Sequence, residues 1–174
     1  MASWTTPPTH VVGDALAVTD WNTIANNETF LYQKPYGLYY ASTQTTAASN
    51  ATVQVALAGT SAVNYGFSIS SNNVVVPLTG VYQVSFCVGV ATGGAGSGLS
   101  RVSSSLYKNG TAFTSGATVL SYTAGTCICN GSAILTCNAN DTLGLYFFNG
   151  TSSSYPCVAS SLSTYLQVAF IGSI

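Results

Sequence analysis

From Tyr36 onward helical periodicity disappears. Runs rich in Val, Ile, Tyr, Phe and Thr alternate with punctuation by Gly, Asn and Ser. β-Branched and aromatic residues fit a pleated, half-buried surface, while Gly and Asn supply the left-handed backbone of tight turns. The pattern predicts strands near residues 37–42, 52–57, 65–70, 73–77, 80–90, 102–108, 117–122, 127–137, 142–147 and 162–171. In the fifth of these, Tyr82, Val84 and Phe86 share one face and Val81, Gln83 and Ser85 the other. Asn109-Gly110 is a hairpin-turn signal, and Asn149-Gly150 closes another run. About ten short strands with no helix between them predict an all-β antiparallel sandwich or jelly roll.

The start of the chain reads differently, which divides the sequence into an attachment arm, 1–35, and a sandwich, 36–174. Pro7 and Pro8 forbid a helix and favour an extended path. Thr19 or Asp20 can then cap a short helix in which Trp21, Ile24 and Leu31 share one face, and Pro35 ends it. A short arm cannot bury two tryptophans by itself. Trp4, Pro7, Pro8, Trp21, Ile24, Phe30 and Leu31 are therefore the candidate attachment residues. They either fold back on their own assembly or insert into a neighbour.

Charge restricts function. Only 4% of residues are charged, against about 25% in a typical soluble domain. Lys34, Arg101 and Lys108 cannot form the basic stripe that a nucleic acid requires. One His and four carboxylates leave little for acid–base catalysis. The sandwich holds only Asp141 among carboxylates, so neither a carboxylate pair nor a nucleophile–base pair is available and no enzyme is expected. An apolar fraction of 47% with a net charge of −1 excludes disorder. No apolar run is long enough to span a bilayer as a helix. Met1 to Pro8 lacks a basic leader and an apolar run, so the expectation is assembly in a cytoplasm rather than secretion. Monomers this uncharged tend to associate. Either much of the surface is buried in an oligomer or larger assembly, or the protein meets conditions in which charge is a liability. Obligate interfaces are depleted in charge, which favours the first.

Other features have ordinary readings. Five cysteines are too odd a number for a complete disulfide framework. Cys127-Ile128-Cys129 is spaced too tightly for a zinc site, and His10 is distant. The thiols are expected as small buried apolar groups on strands, although Cys127 and Cys157 could oxidise as a pair. No metal or cofactor is expected. The glycines between Gly93 and Gly98 have no following Lys, so residues 91–99 read as a mobile loop, not a phosphate cradle. Asn-x-Ser/Thr triplets at Asn27, Asn50, Asn109, Asn130, Asn140 and Asn149 arise by chance in a chain this rich in Asn, Ser and Thr. Asp141 is expected to fix a turn, since calcium needs several oxygen ligands. Tyr82, Phe86, Tyr146, Phe147, Tyr165 and Phe170 could line a sugar site, but strand spacing favours core or trimer-seam positions.

Four segments carry a family resemblance. Val76-Pro77-Leu78-Thr79-Gly80-Val81-Tyr82-Gln83-Val84 resembles the core-entering strand of C1q/TNF-like jelly rolls, and Leu106-Tyr107-Lys108-Asn109-Gly110 resembles their hairpin. The stretch from Gly131 to Leu145 resembles a strand pair of that family, with Asn140 where Gly is usual. Ser163 to Ile171 resembles the closing strand, without the family's Phe-x-Gly. The likeness covers about residues 37–174 and implies trimerisation, which avoids runaway edge pairing. In the arm, Trp4, Val12-Gly13-Asp14, Thr19-x-x-Asn22 and Asn26-Asn27-x-x-Phe30-Leu31 resemble the N-terminal segment of tailed-phage structural proteins. Together these imply a homotrimeric virion protein on the capsid surface. It would act as a cement or decoration protein gripping the major capsid protein through its arm. The alternative is a tail or head fibre tip that binds a host surface receptor.

Overall fold

The computed structural model describes residues 5–10, 14, 15, 17–92, 100–121 and 125–174. A helix, α1 (Val18–Tyr32), precedes β1 (Tyr36–Ala41), β2 (Thr46–Ala47), β3 (Ala51–Gln54), β4 (Leu57–Tyr65), β5 (Ser68–Ser70) and β6 (Asn73–Val75). Then come β7 (Gly80–Thr92), β8 (Ser100–Lys108), β9 (Thr111–Ser121), β10 (Gly125–Cys137), β11 (Thr142–Gly150), β12 (Tyr155–Pro156) and β13 (Tyr165–Gly172). One sheet runs β10-β7-β13-β1-β4; the other runs β5-β6-β11-β8-β9, with β3 also paired to β11. Every pairing between these strands is antiparallel. The expected all-β jelly roll is what the chain forms.

Alternation along each strand drives the two sheets together. Tyr39, Tyr82, Val84, Phe86, Leu166 and Val168 of the first sheet face Leu106, Leu143, Leu145 and Phe147 of the second in one buried cluster. Burying each such side chain is worth roughly 1.5–3 kcal/mol against leaving it in water. At one edge β9 and β10 come so close that only glycine fits. A Cβ on Gly131 would lie 2.5 Å from the Phe86 ring and 2.8 Å from the Gly116 Cα, and one on Gly116 would lie 2.6 Å from the Asn130 carbonyl oxygen. The β8–β9 hairpin turns on Asn109 (φ 50°) and Gly110 (φ 76°), both left-handed as a two-residue primed turn demands. Asn140 adopts φ 72°, the conformation expected where the family resemblance has Gly.

Several boundaries differ from the sequence reading. A strand over Leu57–Tyr65 was not expected. Its Ala, Gly and Ser residues have weak strand character, yet this segment carries the chain from β3 in one sheet to the edge of the other beside β1. β9 begins directly after the Asn109-Gly110 turn, at Thr111, because the hairpin register extends both strands together. Asn149-Gly150 closes β11, as expected, but as its last two residues, so the strand runs on past residue 147. Asn149 is buried and its side-chain amide donates to the carbonyls of Ala47, Ala48 and Ser153, so it pins a loop inside the fold. Tyr122 and residues 93–99, the centre of the expected mobile loop, lie outside the described residues.

The helix start also differs. Ala17, not Thr19 or Asp20, occupies the N-cap position. Asp20 is the third helical residue, and its carboxylate reaches back to accept the Ala17 N–H at 2.7 Å. That is half of a reciprocal capping box and satisfies one amide at the helix start.

Candidate interaction surfaces

The helix buries one face against the jelly roll and leaves the other open. Asp20, Asn27 and Phe30 are buried, whereas Trp21, Ile24 and Leu31 share a face but are 59%, 45% and 56% exposed. Phe30 packs against Phe170 of β13 and enters the subunit's own core, which removes it from the set available to a partner. Asn27 clamps the extended segment with two bonds: it accepts from the Thr5 N–H at 2.8 Å and donates to the Thr5 carbonyl at 2.7 Å. His10 Nε2 approaches the Asp20 carboxylate at 3.3 Å, and its Nδ1 lies 3.9 Å from Asp14. Sequence reasoning missed Asn27, whose only signal was its seven-residue step from Asp20 along the helix. The clamp leaves a groove of about 540 Å³ lined by Pro7, Ile24, Asn27, Glu28, Leu31 and Tyr32. Pro8 is exposed beside it, Val18 and Tyr32 extend the apolar surface, and Trp4 lies outside the described residues.

A second surface is the outer face of the five-stranded sheet. None of β1, β4, β7, β10 and β13 contains Asp, Glu, Lys, Arg or His. The register aligns Ile134, Gln83, Ala169, Tyr36 and Tyr65 across all five strands. Asn130, Cys87, Tyr165 and Tyr40 form a parallel row. Ile128 and Ile134 are 51% and 68% exposed here. The sandwich's three charged residues, Arg101, Lys108 and Asp141, all belong to the other sheet and its turns. Asp141 accepts hydrogen bonds from the Asn109 amide, the Asn138 N–H and the Lys108 ammonium, which also pairs with it at 3.0 Å. Lys108 further donates to the Thr136 carbonyl of β10, tying the two sheets at that end. Asp141 thus fixes a turn, as expected.

The aromatic candidates separate into two groups. Tyr82, Phe86, Phe147 and Phe170 are buried within the subunit, whereas Tyr146 and Tyr165 are half-buried on opposite outer faces. The Tyr82 hydroxyl donates to the Leu78 carbonyl, and burial pushes its pKa up to about 12. All five cysteines are buried thiols. Burial pushes Cys137 up to about 11 and also raises Cys87. Among the described residues, no group of three or more His, Cys, Asp or Glu side chains could hold a metal, and no helix is long and apolar enough to cross a membrane.

No protein-family model and no curated protein matches this chain. Among solved structures, Eiger TNF from S. frugiperda is similar over 82% of this chain and 95% of its own, with a TM-score of 0.62 at 14% identity. Murine APRIL at pH 5.0 is similar over 79% of this chain and 99% of its own, with a TM-score of 0.57 at 11% identity. At pH 8.0 the same protein gives a TM-score of 0.56 at 12% identity, over 79% and 98% of the two chains. Identities this low speak to architecture alone: the chain has the TNF/C1q-like jelly-roll fold, led by one helix and an extended segment.

Proposed function

We propose that this protein is a non-enzymatic structural component of a phage virion: a homotrimer joined through its five-stranded sheet that cements capsid subunits with the exposed face of α1. The observation that carries this reading is the segregation of charge. A sheet whose strands hold no ionic residue costs less to desolvate against its like than a charged one, since buried ions need compensating partners. Five strands about 4.8 Å apart and 6 to 13 residues long give such a face an extent on the order of 800 Å², one partner's share of a standard interface. Trimer symmetry is what the family resemblance implies, and the phage context rests on the resemblance of the arm.

The helix supports the attachment half of the proposal. Phe30 anchors it to the jelly roll, so Trp21, Ile24 and Leu31 are presented on a fixed support. An exposed apolar face beside a groove is the geometry of an anchor site. Three copies per trimer multiply a modest contact by avidity. Because removing residues 1–35 would take Phe30 out of the core, point variants make the cleaner test. Heads lacking the protein are mixed with the full chain or with a Trp21→Ser/Leu31→Ser variant. The expected result is that both form the same trimer and only the unaltered chain sediments with heads. Equal decoration by both, or binding by the unaltered chain only at a tail, overturns the cement reading.

A further inference from the structure

The outer face of the six-stranded sheet carries a feature that the proposed function does not use. Side chains on β11 and β8 that point away from the core include Tyr146, Phe148, Ser105 and Tyr107, all half-buried. Tyr107 and Tyr146 stack with centroids 3.9 Å apart and planes 24° apart. Each ring on β11 leans over a glycine: a Cβ on Gly144 would lie 3.0 Å from the Tyr146 ring, and one on Gly150 would lie 2.6 Å from the Phe148 ring. Arg101 covers Phe148 at 5.7 Å.

Uncharged polar groups frame these rings. The register places Gln54 on one side of Tyr146 and Ser105 on the other, with Thr52 beside Phe148 and Asn73 beside Gly144. Ser105 and Ser115 share a hydrogen bond at 3.2 Å. Gln54 Nε2 donates to Asn73 Oδ1 at 2.9 Å, which fixes both amides at the rim. Among the described residues, the Tyr107 and Tyr146 hydroxyls and Gln54 Oε1 take part in none of the hydrogen bonds that hold the sheet together. The stacked tyrosines thus stand beside polar atoms still able to donate or accept.

That combination suits one ligand chemistry. A pyranose ring has an apolar face of C–H bonds, attracted to the electron-rich face of an aromatic ring. Its rim carries neutral hydroxyls that lose hydrogen bonds to water on docking and need donors and acceptors in exchange. A charged ligand finds no counter-charge at Tyr107, Tyr146, Gln54 and Asn73. We propose that this platform binds a neutral saccharide chain, which stacks on the Tyr107–Tyr146 pair and hydrogen-bonds to the Gln54–Asn73 rim. This site is separate from the uncharged sheet and from α1, and it does not depend on the proposed assembly.

The test is a titration of the full chain with maltohexaose, cellohexaose and chitohexaose, followed by NMR of the side-chain amides and tyrosine rings. The expected result is that at least one of the three binds at up to millimolar concentration and shifts Gln54, Asn73, Tyr107 and Tyr146. Tyr107→Ala should weaken binding by about tenfold or more. Gln54→Ala should weaken it by less, and both variants should keep their melting temperatures within a few degrees. Saturable shifts confined to other residues overturn the proposal, as does the absence of shifts with all three sugars. Polygalacturonate serves as the acidic control: binding to it alone, abolished by Arg101→Ala, also overturns the neutral assignment.

Discussion

The Phe30 ring meets the Phe170 ring edge to face, with centroids 5.6 Å apart and planes at 75°. Phe170 meets Tyr82 in the same manner at 5.3 Å, and Tyr82 meets Phe67 at 5.8 Å. One aromatic chain therefore runs from the helix into the centre of the jelly roll. Phe30 is the helix's buried apolar side chain, while Val18, Trp21, Ile24, Leu31 and Tyr32 are displayed.

That contact predicts a local failure. Phe30→Ala should cost about 3 kcal/mol, as other buried Phe truncations do, and release α1 while the sandwich stays folded. Limited proteolysis should then cut within residues 18–32 before any strand is cleaved. Leu31→Ala, on the exposed side, should stay within about 0.5 kcal/mol of the parent.

Acid should loosen the β8–β9 turn through Asp141. Burial by itself raises this carboxyl, but donation from Asn109, Asn138 and Lys108 outweighs it and holds the pKa below its ordinary 3.8. A folded value below the unfolded one means the stabilisation is present above about pH 4 and is lost as pH falls through the folded value. Asp141→Asn should cost about 1–3 kcal/mol at neutral pH. Melting curves of the two proteins should converge as the solution is acidified toward pH 2.

Alkali acts on a different pair. Burial raises Tyr39 from 10.0 to about 12 despite its bond to Asn64, and does the same to Tyr82. Both groups are neutral when folded and ionise more readily when unfolded. Their stabilisation is complete below pH 10 and declines as pH rises toward 12. Phenolate absorbance should show two tyrosines that titrate only with unfolding. Tyr39→Phe should remove part of the alkaline loss of stability.

The uncharged sheet gives a test of association. Ala169 sits between Gln83 and Tyr36 in the middle of its outer face. Ala169→Arg should convert the oligomer to a monomer by sedimentation without altering the far-ultraviolet spectrum. Thr52→Arg, on the opposite sheet, should leave the sedimentation coefficient unchanged.

The jelly roll was legible because alternation is clean wherever large side chains occur, as along Tyr82, Val84 and Phe86. It failed at Leu57–Tyr65, whose small side chains carry no pattern and whose place is set by pairing with β1. The Asn109-Gly110 turn was readable from its chemistry alone, since both residues need positive φ. The buried face of α1 was not readable. Its burial rests on Asp20 and Asn27, polar residues inside only because Ala17 and Thr5 supply backbone partners. The stacked tyrosines were half visible: Tyr146 stood out as an aromatic strand residue, but Tyr107 joins it only through the β8–β11 register.

The ion-free sheet has a further consequence for where such a protein can work. Dissolved salt weakens contacts by shielding charges; the five strands of this face carry none, and the Lys34 ammonium meets them only at the end of β13, on the Ile171 carbonyl. Salts excluded from protein surfaces instead favour the burial of its tyrosines and isoleucines. Copies joined through it would hold together as firmly in brine as in rainwater.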